Sequence, residues 1–185
     1  MAKSNIFIIH GAYGYPGENW FPWLKSELEK LGCRVFVPKF PTPENQTLER
    51  WLKVFQDYEK YIDGNSIVVG HSLGVPFLLS VLERKPAKAA FFVAGFCSLP
   101  ENEFAEIMTT FVEKKFDWKA IRDNCKKFYV FHSDNDPYVP LEKAEELAKN
   151  LGTEIILVKS AGHFNEKAGY TKFEMLLEKI KAGLG

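Results

Sequence analysis

Three cysteines in 185 residues, Cys33, Cys97 and Cys125, are too few and too scattered for a disulfide framework. They have no C-x-x-C spacing, so no zinc site is indicated either. An excess of charge of one sign is also missing. The 24 Lys+Arg balance the 24 Asp+Glu, and the formal net charge is zero. Without a basic arm or stripe, a nucleic-acid role has no electrostatic footing. No run approaches the roughly 18 apolar residues of a membrane span. The first apolar run, Ile6 to Ile9, is too short for the core of a signal peptide, and Gly11 and Gly14 follow at once. There is no repeat, low-complexity tract or linker. These absences leave the expectation of a reduced, cytoplasmic protein, one domain over residues 1–185, with its thiols in or near the core.

What is present is aromatic and periodic. Aromatic residues make up 15% of the chain, with 16 phenylalanines, which suits a small core filled by bulky groups. Six short apolar or β-branched runs, Ile6–Ile9, Arg34–Pro38, Ile67–Val69, Ala89–Ala94, Phe128–Phe131 and Glu154–Val158, read as strands buried on two faces. Between them the spacing is helical. Trp20, Trp23, Leu24, Leu28 and Leu31 form one stripe, Trp51, Val54, Phe55, Tyr58 and Ile62 a second, and Phe173, Leu176, Leu177, Ile180 and Leu184 a third. Val75 to Glu83 reads as a helix, and Leu141 to Leu151 as another, stopped by Gly152. The alternation predicts an α/β three-layer sandwich with a mostly parallel six-stranded sheet, its active site beyond the carboxyl ends of the strands.

The run Gly70-His71-Ser72-Leu73-Gly74 lies between the third strand and the helix after it. A serine in so sharp a strand-to-helix turn is strained, and its hydroxyl projects from the top of the sheet. Gly70 and Gly74 are required because a β-carbon at either would strike the neighbouring strand or helix. The amide of Leu73 then points at the oxygen of an attacked carbonyl, aided by the helix N-terminus.

A serine hydroxyl needs an imidazole to take its proton, and the imidazole needs a carboxylate to fix its tautomer. Asp136 follows the fifth strand and His163 the sixth, so all three groups fall at the same edge of the sheet. Taken alone, His163 beside Gly162 and Asp136 before Pro137 read as turn residues. Their position and order relative to Ser72 favour the catalytic reading. Asp134 competes with Asp136; its expected role is to bond amides within its own turn. The second oxyanion donor is expected in the loop His10 to Gly17, at the amide of Ala12. That loop is glycine-rich but has neither G-x-G-x-x-G nor a terminal Gly-Lys-Ser/Thr, so a nucleotide site is disfavoured. His10 and His71 lack paired ligand spacing and read as structural or pocket-lining, and no metal or cofactor is called for.

These motifs, together with Asp134-Asn135-Asp136-Pro137-Tyr138-Val139-Pro140 and Gly162-His163-Phe164, resemble the small serine hydrolases related to retinoblastoma-binding protein nine. The likeness extends over essentially the whole chain. It implies a minimal α/β-hydrolase fold, a triad of Ser72, Asp136 and His163, and oxyanion amides at Ala12 and Leu73. It also implies hydrolysis of a small carboxylic ester, or a thioester or amide, through an acyl-enzyme. The segment Phe96 to Asn124, where larger relatives insert a lid, has room for one or two short helices, so an open, shallow pocket is expected. Tyr13, Trp20, Phe96 and Phe164 are the expected substrate-binding residues, with Phe104 and Tyr138 as further apolar lining. The rivals are a protein-interaction module on the same fold and a peptidase. The expected partner is a small ester or acyl substrate; nothing in the sequence indicates a protein partner.

Overall fold

The computed structural model describes residues 4–101 and 104–184. Its strands are β1 (Asn5–Ile9), β2 (Arg34–Phe36), β3 (Ile67–His71), β4 (Ala89–Val93), β5 (Phe128–Ser133) and β6 (Ile155–Val158). Its helices are α1 (Phe21–Lys30), α2 (Leu48–Phe55), α3 (Gly74–Leu82), α4 (Ala105–Val112), α5 (Trp118–Asn124), α6 (Leu141–Leu151) and α7 (Glu174–Leu184). The sheet order is β2-β1-β3-β4-β5-β6, and every pairing is parallel rather than most of them.

Alternation along each strand divides the core in two. Ile6 and Ile8, Ile67 and Val69, and Phe91 and Val93 face α1 and α7, meeting Phe21, Leu24, Leu28, Leu176, Leu177 and Ile180. Phe7 and Ile9, Val68, Ala90 and Phe92 face the opposite layer, meeting Trp51, Phe55, Phe77, Phe111, Ile121 and Leu147 from α2 to α6. A strand covered on two sides has no polar face, which is why β3 and β4 read as unbroken apolar runs. Gly152 at φ +71° closes α6 in the left-handed conformation expected of a helix-ending glycine.

The stripe from Trp51 to Ile62 is not one helix. α2 stops at Phe55. The chain then tightens through bonds from the Tyr58 amide to the Phe55 carbonyl and from the Tyr61 amide to the Tyr58 carbonyl. Three-residue bonding brings Phe55, Tyr58 and Tyr61 onto one side, so the apolar stripe survives the change of helix type. No helix among the described residues is long and apolar enough to cross a membrane.

Candidate active site

The sheet reverses its order between β1 and β3, and loops leaving the carboxyl ends of such neighbours splay apart and open a crevice. Ser72 follows β3 directly, and its φ of +52° puts a non-glycine residue in the left-handed region. It is held there by its own amide, which donates to the Val93 carbonyl at 2.9 Å, and by its carbonyl, which accepts from the Val75 amide at 3.0 Å. The two flanking glycines answer to space. A β-carbon at Gly74 would lie 2.5 Å from the Ile9 carbonyl oxygen, and one at Gly70 would lie 3.0 Å from the backbone of Gly74. A β-carbon on Gly11 would lie 3.0 Å from that of Ser72, so the loop after β1 passes directly over the serine. That brings Ala12 beside the site. Leu73, whose side chain is buried in the core, caps α3, and amides at a helix start have no acceptor within the helix.

Asp136 and His163 are in contact: His163 Nδ1 lies 2.8 Å from Asp136 Oδ2 and 3.0 Å from Oδ1. Asp136 Oδ1 also accepts from the amides of Tyr138 and Val139 at 2.9 and 3.0 Å, and its side chain is fully buried. Burial alone would raise its pKa. The hydrogen bond and charge of His163, followed by the two amides, outweigh burial and hold the carboxyl below its ordinary range. Asp134 turns away from the histidine and accepts from the Ser160 amide at 2.7 Å. It therefore bonds a backbone amide as expected, but in the facing loop and not in its own turn.

That bond belongs to a ladder which the sequence reading missed. Ser133 Oγ accepts from the Ala161 amide at 2.9 Å, and Asn135 Oδ1 accepts from the Gly162 amide at 2.8 Å. Residues 133–136 thus hold residues 160–163: three side chains take three amides, and the fourth takes the histidine ring. The signal was available as four consecutive short polar side chains with acceptor oxygens at a strand end.

A cavity of about 430 Å³ opens above Ser72 and His163. Gly11, Ala12, Tyr13, Phe104, Met108 and Tyr138 line it, with Glu18 and Glu166 at another side. Tyr13 therefore stands where the sequence placed it. Trp20, Phe96 and Phe164 do not: each has no exposed surface and none lines the cavity. The Trp20 indole meets Phe21 and Phe173 edge-on, and Phe164 stacks on Phe173 beneath the His163 loop. Phe96 lies in the core on the opposite face of the sheet. An aromatic residue near a strand end can point up to the crevice or down to the core, and one turn of backbone decides which. His10 is structural, bonding the Gly11 carbonyl and the Phe40 amide. Burial lowers its pKa to about 4, against one backbone bond that raises it. All three cysteines are free and buried. Among the described residues, no group of three or more His, Cys, Asp or Glu side chains is placed to hold a metal ion.

A parallel sheet that delivers a left-handed serine between two space-limited glycines, into one cavity with a histidine–aspartate pair from later loops, is the architecture of an α/β-hydrolase. The chain belongs to the serine hydrolase family, whose model matches residues 6–182. It is 32% identical to YdeN of Bacillus subtilis, over 97% of this chain and 95% of that protein. The crystal structure of the ydeN gene product superposes with a TM-score of 0.90, covering 97% of this chain and 98% of that one. Serine hydrolase RBBP9 of Rattus norvegicus is 27% identical over 98% of this chain and 95% of its own length. The esterase domain of a Rhodothermus marinus protein shares the fold, with a TM-score of 0.71 at 14% identity, over 100% of this chain and 89% of that one.

Proposed function

We propose that this chain hydrolyses small carboxylic esters, with Ser72 as nucleophile, His163 as base and then acid, and Asp136 as the carboxylate that orients the imidazole. His163 takes the Ser72 proton as Oγ bonds to the carbonyl carbon, and the carbonyl electron pair moves onto oxygen. The amides of Leu73 and Ala12 donate to that oxyanion; removing one such donor typically costs about 3–4 kcal/mol. Collapse expels the alcohol, which leaves with the proton held on His163. Water then gives a proton to His163 as it attacks the acyl-serine, and collapse releases the acid as His163 returns that proton to Ser72 Oγ. The observation that carries this reading is the 2.8 Å contact of His163 Nδ1 with the buried Asp136, since it leaves Nε2 of the same ring for Ser72 in the shared cavity. The free thiols support a reducing compartment.

The test is labelling by a fluorophosphonate probe together with turnover of p-nitrophenyl acetate. The native chain should react with the probe, and Ser72→Ala should neither label nor turn over. Loss of a single triad serine can cost on the order of 10⁶-fold in kcat. Its melting temperature should change little, because only a hydroxyl is lost. Labelling that persists in Ser72→Ala, or no labelling of the native chain, removes the hydrolase reading and favours an interaction module.

A further inference from the structure

His163 is held between two left-handed residues, Gly162 at φ +56° and Phe164 at φ +51°. Such backbone persists only where its surroundings over-determine it. On the N-terminal side the amide ladder does this. On the C-terminal side two buried rings do. The carbonyl of His163 lies 2.8 Å from His71 Nε2, and the carbonyl of Phe164 accepts from Trp20 Nε1 at 3.0 Å. An indole nitrogen can only donate and a carbonyl can only accept, so His71 must carry its proton on Nε2. Its Nδ1 is then a buried acceptor with no partner among the described residues.

His71 is also next to Ser72 in the chain. Its bond therefore ties the peptide of the proposed nucleophile to the backbone of the proposed base, 92 positions away. The two imidazoles are packed, with centroids 4.9 Å apart. Burial first, and then the charge of His163, push the His71 pKa down to about 3, so the ring stays a neutral donor at any working pH. The charged or titratable groups that bear on it are His163, Asp136 and His10. The acid loop repeats the device: His132 Nε2 lies 2.9 Å from the Val139 carbonyl, with Nδ1 again unpartnered among the described residues.

Resting on the catalytic reading above, we propose that His71 is a positioning residue. By donating its Nε2 proton to the His163 carbonyl, with Trp20 on the next carbonyl, it sets the distance between the His163 ring and Ser72. A glutamine amide nitrogen has about the reach of Nε2 and can make the same donation, whereas leucine fills the space and cannot.

The experiment compares His71→Leu and His71→Gln in the full chain. It measures kcat and KM for p-nitrophenyl acetate and the fluorophosphonate labelling rate. His71→Leu should lose on the order of 100-fold in kcat with KM nearly unchanged, the loss expected of a misplaced catalytic group. His71→Gln should recover most of the rate. Native kcat in a folded His71→Leu, or a loss that falls on KM and not on kcat, overturns the proposal, and so does a folded His71→Gln as slow as leucine. If His71→Leu does not fold, nitrogen-15 spectra of the native chain decide: a neutral Nε2–H tautomer at His71 from pH 5 to 8 supports the bond, and an Nδ1–H tautomer overturns it. Ser72→Ala run in parallel separates the two failures. Turnover surviving there defeats the catalytic reading, whereas normal Ser72 dependence with indifferent His71 variants defeats only the positioning role.

Discussion

The two walls of the cavity are built by different physics. On one, His163 and Asp136 are fixed by directional bonds, each with a definite donor and acceptor, from the Ser133, Asp134 and Asn135 side chains and the His71 and Trp20 rings. On the other, Tyr13, Phe104 and Tyr138 meet ring edge to ring face, with Tyr13–Phe104 and Phe104–Tyr138 centroids 6.0 and 5.9 Å apart, and Met108 is beside them in the lining. Hydrogen bonds weaken steeply once the angle falls below about 120°, and are lost by a donor–acceptor distance of about 3.6 Å. Apolar contact is tolerant of shape and repacks. A wall that must hold reacting atoms in place needs the first kind, and a wall that only admits a substrate can use the second. Substitutions on the first wall should therefore act on kcat, and those on the second on KM and chain-length preference.

The sharpest break is at Asp136. Asp136→Asn keeps the shape but removes the charge and one acceptor from His163, and should lower kcat by up to ~10⁴-fold, as in well-studied triads. Asp134→Asn alters a neighbour two residues away whose side chain, among the described residues, bonds the Ser160 amide alone. It should leave kcat within a few-fold and lower stability by about 1 kcal/mol. Steady-state kinetics with thermal melts reads both. A larger kcat loss in Asp134→Asn would show that the oriented carboxylate is the other one.

The apolar wall should respond in the opposite sense. Phe104, which caps α4, and Met108 within it line the cavity, and the described residues between β4 and β5 form the short helices α4 and α5. The expectation is a cleft that does not bury a long acyl chain. Each methylene buried contributes about 0.8 kcal/mol, and that gain should stop after a few carbons. Across p-nitrophenyl esters, kcat/KM should peak between acetate and butyrate and fall by octanoate. Phe104→Ala should shift the peak towards longer chains by roughly 10-fold in relative kcat/KM, with kcat on acetate nearly kept. A steady rise through palmitate in the native chain would mean that the wall is not closed, and a kcat collapse in Phe104→Ala would mean that it also orders the chemistry.

How much of this was legible in the sequence follows the same division. The strands were legible because burial on two faces leaves a run such as Phe128–Phe131 with no alternative. Ser72 was legible because the two glycines beside it are demanded by contacts as short as 2.5 Å, which no other residue type survives. Asp136 was separable from Asp134 by its spacing before Val139. The ladder from Ser133 and Asn135 was not legible, because its partners are backbone amides, which every residue carries and no letter marks. Trp20 and Phe164 were misplaced for a related reason. Their hydrophobic bulk shows in the sequence, but the use of an indole N–H and a backbone carbonyl beneath the site does not.

The smallest effect sharpens the comparison with a carboxyl that does line the cavity. Asp136 is kept charged by a histidine and two amides, whereas Glu18 is half-buried, folds back over Gly14, and has the like charge of Glu166 near it. Burial first, and then Glu166, raise the Glu18 pKa from 4.5 to about 7, against one bond from the Tyr15 amide that lowers it. The folded chain thus holds this proton more tightly than the unfolded one, so the contribution of Glu18 to stability is full below about pH 4.5 and is lost as the pH rises to about 7. Such a shift would carry roughly 3 kcal/mol in a fully buried group; solvent over the exposed half screens it to on the order of 1 kcal/mol. Glu18→Gln stays neutral throughout. It should melt about 2–4 °C above the native chain at pH 8 and within a degree of it at pH 4.5. A gain at pH 4.5 as large as at pH 8 would trace to packing against Gly14 and not to charge, and a loss at pH 8 would mean that the ionised carboxylate is itself held by a partner.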